Sequence, residues 1–71
     1  MERVPFSDVR EFLEQHGYAL MGRMGDLRVF RRGNSILRVE VQDKKVKTVD
    51  FETIQAILEE QEGFGRFGRG R

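Results

Sequence analysis

The stretch that decides the fold is 27–41, which reads LRVFRRGNSILRVEV. Its second half alternates strictly: Leu37, Val39 and Val41 are separated by charged residues. Successive side chains of a strand point to opposite faces, so this pattern is typical of a strand with one face on a core and one in solvent. We therefore predict that these three apolar residues face the core.

The first half of the stretch predicts the partner of that strand. Gly33-Asn34 is a two-residue turn signal between the two halves, because both residue types tolerate positive φ. An earlier segment, residues 18–24, also alternates and ends at the turn signal Gly25-Asp26. We therefore predict three antiparallel strands. We expect the solvent face of their sheet to be basic and partly aromatic. The predicted outer face carries Arg28, Phe30, Arg32, Ile36, Arg38 and Glu40.

A helix is predicted on each side of these strands. Residues 7–16 place apolar side chains at helical spacing after Ser7, a good N-cap, and before Gly17. Residues 50–62 repeat the pattern, with the helix ending near Gln61. The predicted fold class is α+β, in the order α-β-β-β-α, with a three-stranded antiparallel sheet and both helices on one face. Residues 46–49 could form a short extra strand or an extended lead-in.

The chain is predicted to be one domain over 6–62 with a flexible tail over 63–71. The tail holds four Gly, three Arg and two Phe in nine residues and has no periodic pattern. Segments of this kind bind nucleic acids by phosphate contacts and by stacking of Phe and guanidinium on bases. The alternatives are that the tail has no role or that it contacts a partner protein.

The net charge of +1 conceals a strong segregation of charge. Residues 17–47 carry a net +5 and residues 63–71 a net +3, whereas 1–16 and 48–62 carry −2 and −5. A basic block of this kind is typical of a surface that binds polyanions, although it could equally keep an exposed sheet soluble. The predicted nucleic-acid-binding residues are Arg28, Phe30, Arg32, Arg38, Lys44, Lys45, Lys47, Arg66, Arg69 and Arg71.

Composition excludes several classes of function. With 71 residues, no Cys and a single His, the chain has no disulfide framework, no thiol chemistry and no site that needs two imidazoles. Carboxylate pairs such as Asp8 with Glu11 look like solvated helix faces. We expect no catalytic residue, metal or cofactor. The absence of an apolar run long enough for a membrane span, and of a signal peptide, predicts a soluble cytoplasmic protein without membrane association.

The order of elements resembles that of double-stranded RNA-binding domains and of the small HicA toxins, over about residues 6–62. Leu13-Glu14-Gln15-His16-Gly17-Tyr18 looks like the end of the first HicA helix, and 53–58 (TIQAIL) resembles the family's last helix. The resemblance implies that fold and an affinity for RNA. HicA toxins are messenger RNA ribonucleases, but their catalytic His would fall at Leu27 or Asp26 here, which argues against that activity.

Three functional hypotheses follow from these observations. The first is a small non-catalytic nucleic-acid-binding module, with RNA favoured over DNA. The second is a protein-interaction module, either a homodimer or a toxin-antitoxin or phage-type regulator, that uses the open sheet face with Phe30 and Ile36. The third is a ribonuclease of the HicA kind with His16 as its only imidazole.

Overall fold

The structure, a computed structural model, describes residues 2–69, with side chains described through Gln61. The elements in chain order are β1 (Arg3–Pro5), α1 (Phe6–Gln15), β2 (Ala19–Met24), β3 (Leu27–Arg32), β4 (Ser35–Glu40), β5 (Lys45–Lys47) and α2 (Thr48–Arg69). The predicted α+β class is confirmed. Among the described residues, no helix is both long and apolar enough to cross a bilayer.

The three-stranded antiparallel sheet has the order β2-β3-β4. The turn predicted at Gly33-Asn34 joins β3 to β4, with Arg32 opposite Ser35. Both helices contribute to one hydrophobic core on one side of this sheet. The fully buried or nearly buried core residues are Val9, Leu13, Tyr18, Phe30, Val39, Val41, Val46, Ile54 and Leu58.

A second, two-stranded sheet was not predicted as such. In it β1 pairs antiparallel with β5, and Val4 lies opposite Val46, which is fully buried. The turn before β5 has two residues with positive φ, Asp43 (54°) and Lys44 (62°), the backbone conformation of a tight hairpin. Residues 46–49 thus contain part of a real strand, whose partner precedes the first helix.

The prediction for the faces of β3 was wrong. Phe30 lies opposite Leu37, and Arg28 lies opposite Val39. Because directly opposed residues share a face, Arg28, Phe30 and Arg32 lie on the helix side. The alternation of β3 was ambiguous, since Leu27 and Val29 are apolar and so is Phe30. Packing of the large Phe30 ring into the core decides the face.

Strand β2 contains a β-bulge at Met21. Leu20 pairs with Phe30 but Gly22 pairs with Val29, so one residue of β2 has no partner. Beyond the bulge, Met24 lies opposite Leu27 and therefore on the open face of the sheet. The bulge reverses the alternation that the sequence suggests for this strand.

The helix boundaries differ from the prediction at both outer ends. Helix α1 begins at Phe6 after Pro5, and Ser7 lies in its first turn without a capping side-chain bond. The N–H of Phe6 donates instead to the backbone carbonyl of Lys44, at 2.8 Å. Helix α2 continues to Arg69. The glycines in this segment lower its helix propensity but do not exclude a helix.

The predicted flexible tail over 63–71 falls on residues whose side chains lie outside the described part of the structure. Its flexibility, and the roles of Arg66, Arg69 and Arg71, stay predictions. The same holds for the division into a domain over 6–62 and a tail.

Candidate nucleic-acid interface

Three cations occupy the outward face of the β1–β5 sheet. Arg3 lies directly opposite Lys47, and Lys45 lies opposite Pro5. Val4 and Val46 point to the core, so the alternating positions Arg3, Lys45 and Lys47 point away from it. We call these three residues the cationic ribbon.

The three cations of the ribbon make no ion pair within residues 2–61. Within residues 2–61 the only ion pair joins Arg10 to Glu14 on α1. Glu40 lines the same small hollow as the three cations without an ion pair to any of them, and its carboxylate accepts a hydrogen bond from the Gln42 amide at 3.4 Å. Like charges directly opposite each other on a sheet are destabilising, so this arrangement favours an external anion.

Lys44 extends the positive charge beyond the ribbon. It is exposed at the turn before β5, and it borders a surface depression with Pro5, Ser7 and Arg10 at the start of α1. The predicted lysines 44, 45 and 47 are thus brought together at one end of the molecule. Arg3 joins them and was missed, because a three-residue strand leaves almost no signal in the sequence.

Arg32 does not lie on the outer face that was predicted for it. Its side chain instead contacts other groups of the protein on the helix side of the sheet. Its guanidinium donates to the backbone carbonyl of His16 at 2.8 Å and to the Gln61 side chain at 3.3 Å. It also lies over the Tyr18 ring, 4.7 Å from the ring centre. Two N–H groups of Arg32 are therefore bonded within the protein.

Arg28 and Phe30 also differ from the outer-face prediction. Phe30 is 0% exposed and its ring lies 6.2 Å from that of Phe6, so it presents no surface on which a base could stack. The Arg28 guanidinium lies over the Phe6 ring at 5.9 Å and donates to the carbonyl of Gly25. The long arginine stems cover apolar surface at the edge of the core while their charged ends reach water.

Arg38 lies on the open face of the sheet, as predicted. It is exposed and opposite Val29, and its side chain has no ion pair or hydrogen bond within residues 2–61. The same face carries Met24 and Ile36, which are 67% and 50% exposed. The open face is therefore largely apolar with isolated cations, and it is less basic than predicted.

His16 lies at the end of α1, far from the position at which the resemblance places a catalytic imidazole. Its Nδ1 is 2.9 Å from the carbonyl oxygen of Phe12, and its ring packs on the Phe12 ring at 4.3 Å. Ala19, at the start of β2, is opposite Arg31, whereas Leu27 is at the other end of β3. His16 and Leu27 are thus at opposite ends of the sheet.

No other constellation of reactive groups emerges in the described part of the chain. Residues 2–61 contain no group of three or more His, Asp or Glu side chains close enough to hold a metal ion.

No protein-family model, curated protein or solved structure matches this chain.

Proposed function

We propose that this protein is a small non-catalytic module that binds the phosphate backbone of nucleic acids through the cationic ribbon. The observation that carries the proposal is the direct opposition of Arg3 and Lys47, beside Lys45, without an ion-pair partner among residues 2–61. Three exposed or half-exposed cations on one side of a rigid two-stranded ribbon form a preorganised surface for phosphates.

The spacing of the cations suits an extended backbone. Lys45 and Lys47 are two strand positions apart, about 6.7 Å, which is comparable to the distance between neighbouring phosphates of one strand. Arg3 adds a guanidinium that can bind one phosphate with two donors. Neutralising phosphates releases condensed counterions, so binding is expected to weaken steeply with salt.

The distribution of acids supports the same surface. Most exposed carboxylates of residues 2–61 lie on the helices, including Asp8 and Glu11 on α1 and Glu52, Glu59 and Glu60 on α2, whereas Glu2, Glu40 and Asp43 lie near the ribbon. The helical carboxylates repel a polyanion from the helical side and orient it towards the ribbon. Apart from the short strands β1 and β5, the order of elements resembles that of double-stranded RNA-binding domains, which favours RNA over DNA.

Titration of the full chain into labelled duplex RNA, single-stranded RNA and duplex DNA tests the proposal, with fluorescence anisotropy as the readout. We expect micromolar binding that depends on salt and hardly on sequence, because phosphate contacts carry no sequence information. The proposal is wrong if none of the three ligands binds at micromolar protein in low salt.

A protein-interaction role is the second candidate. Its support is the open sheet face, where Met24 and Ile36 expose large apolar side chains around Val29. Exposed apolar surface of this kind is typical of interaction surfaces. Phe30, which the sequence assigned to this face, is buried and takes no part.

A further inference from the structure

The open face of the three-stranded sheet combines large apolar side chains with arginines. Met24 and Ile36 are 67% and 50% exposed on the strands that flank the half-buried Val29. Arg38 lies opposite Val29 and Arg31 lies opposite Ile36, so both of these exposed residues share this face. Neither arginine makes an ion pair with the described side chains. The face therefore offers an apolar centre with positive charge beside it.

The outward face of α2 has the complementary composition. Val49 and Ala56 are exposed and lie seven residues apart, so they form a stripe along one side of the helix. Glu52, Glu59 and Glu60 are three or four residues from one of them and flank this stripe with exposed carboxylates. We call these five residues the acidic helix face.

A surface depression lies at the start of the acidic helix face. It has a volume of about 300 Å³ and is lined by Glu2, Thr48, Val49 and Glu52. Val49 is 62% exposed and supplies an apolar wall beside the two acidic residues. An arginine side chain matches this arrangement, because its methylene stem packs on apolar surface while its guanidinium binds carboxylates. The depression thus favours a partner that presents arginine beside apolar groups.

We propose that the acidic helix face of one copy of this chain docks on the open sheet face of a second copy. Three strands about 4.8 Å apart make a face roughly 14 Å wide, which accommodates one helix of about 10 Å diameter. The stripe of Val49 and Ala56 then covers the apolar centre of the sheet, and the two arginines meet the flanking carboxylates. This contact identifies a partner for the open face and does not depend on nucleic-acid binding by the cationic ribbon.

Charge and composition favour this pairing over its alternatives. Two open faces packed on each other would oppose arginines, and two acidic helix faces would oppose carboxylates. Helix α1 is also acidic, but its exposed residues are all polar or charged and include Arg10. The open face itself carries Glu40, which lies opposite Leu27 at the other end of the sheet from Arg31.

The two docking surfaces lie on opposite sides of the molecule, because the helices pack on one face of the sheet and the open face is the other. Each copy therefore joins one neighbour through its sheet and another through its helix, which is a head-to-tail contact. One helix on three strands buries less than a standard interface, so we expect a dissociation constant on the order of 100 μM. High salt should weaken the contact further.

Sedimentation equilibrium of the full chain from about 20 μM to 2 mM at low salt tests the docking. We expect the wild type to form species larger than a dimer at the highest concentrations. Ile36→Asp places a carboxylate in the open face, and Ala56→Asp places one in the stripe of the acidic helix face. Each should raise the dissociation constant of self-association about tenfold or more, because a carboxylate would be buried against apolar groups.

An equimolar mixture of the two variants distinguishes head-to-tail docking from a symmetric contact. The Ile36→Asp copy keeps its helix face and the Ala56→Asp copy keeps its sheet face, so the mixture should form dimers and nothing larger. Both variants have the same net charge, so a difference in charge does not draw them together. Both positions are exposed, and circular dichroism verifies folding. Arg38→Ala is a second sheet-face variant if Ile36→Asp does not fold.

Ser7→Asp is the matched control. It makes the same change of charge at an exposed position of α1 and should associate like the wild type. A wild-type monomer throughout the concentration range overturns the proposal. So does a folded Ile36→Asp or Ala56→Asp variant that associates like the wild type, because only one kind of face would then form the contact. A mixture that stays monomeric or grows beyond dimers, or a Ser7→Asp variant as weakened as Ile36→Asp, also overturns it.

Discussion

The guanidinium of Arg32 lies 4.7 Å from the centre of the Tyr18 ring. It also donates a hydrogen bond to the backbone carbonyl of His16, the residue that caps the C-terminal end of α1. A cation at this end of a helix also interacts favourably with the helix dipole. With its second bond to Gln61, Arg32 joins α1, β3 and α2. These contacts connect three elements of a small domain.

Arg32→Ala should lower the free energy of unfolding by about 1.5–3 kcal/mol, because it removes charged hydrogen bonds and a cation–π contact. Urea denaturation followed by circular dichroism measures the loss. Arg23→Ala is the control: Arg23 is exposed and makes no side-chain hydrogen bond or ion pair within residues 2–61, so its loss should change stability by less than about 0.5 kcal/mol. Equal effects of the two substitutions would contradict the role assigned to Arg32.

Gly17→Ala should destabilise the chain by about 1–2 kcal/mol. Gly17 has φ of 87°, which L residues rarely adopt, and a Cβ there would lie 3.1 Å from Cδ of Arg32. Part of the cost is therefore backbone strain and part is crowding of the arginine. In a double-mutant cycle with Arg32→Ala, the crowding disappears and the cost of Gly17→Ala should fall. Additivity of the two substitutions would show that the crowding is negligible.

Lys44→Gly should raise the free energy of unfolding by about 0.5–1 kcal/mol, because relief of the left-handed backbone strain exceeds the added entropy of the unfolded glycine. Lys44 has φ of 62°, whereas its neighbour Lys45 lies in β5 and has no positive φ. Lys45→Gly is the matched control and should be destabilising. Thermal unfolding compares the two, and a Lys44→Gly variant that is less stable than the wild type would contradict the strain argument.

The fold could be predicted from the sequence where the apolar pattern has a single interpretation. Strand β4 alternates without ambiguity, and Val39 is buried while Arg38 and Glu40 are exposed, as predicted. Strand β3 offers apolar residues on both faces, so periodicity could not choose between them. The choice is made by tertiary packing of Phe30 against Phe6, a residue whose position depends on the unpredicted β1.

The candidate site was predictable only in part, for a related reason. The cluster at 44–47 is visible as a run of lysines, but its electrostatic partner Arg3 is far away in sequence and lies in a segment with a net negative charge. The alternation of the strand predicts Arg28 and Arg32 on the outer face, and the structure places them on the helix side. In the structure their stems and guanidiniums pack on Phe6 and Tyr18, which composition alone does not reveal.

The salt dependence of RNA binding in matched alanine variants tests the central claim most directly. Anisotropy titrations of duplex RNA over a series of salt concentrations give the slope of log affinity against log salt for the wild type, Lys47→Ala and Arg23→Ala. Removal of one phosphate contact should weaken binding to all sequences alike and reduce the slope by about 1. The account predicts this for Lys47→Ala and an unchanged slope for Arg23→Ala. A wild-type chain without salt-dependent binding, or equal slopes in the two variants, would contradict it.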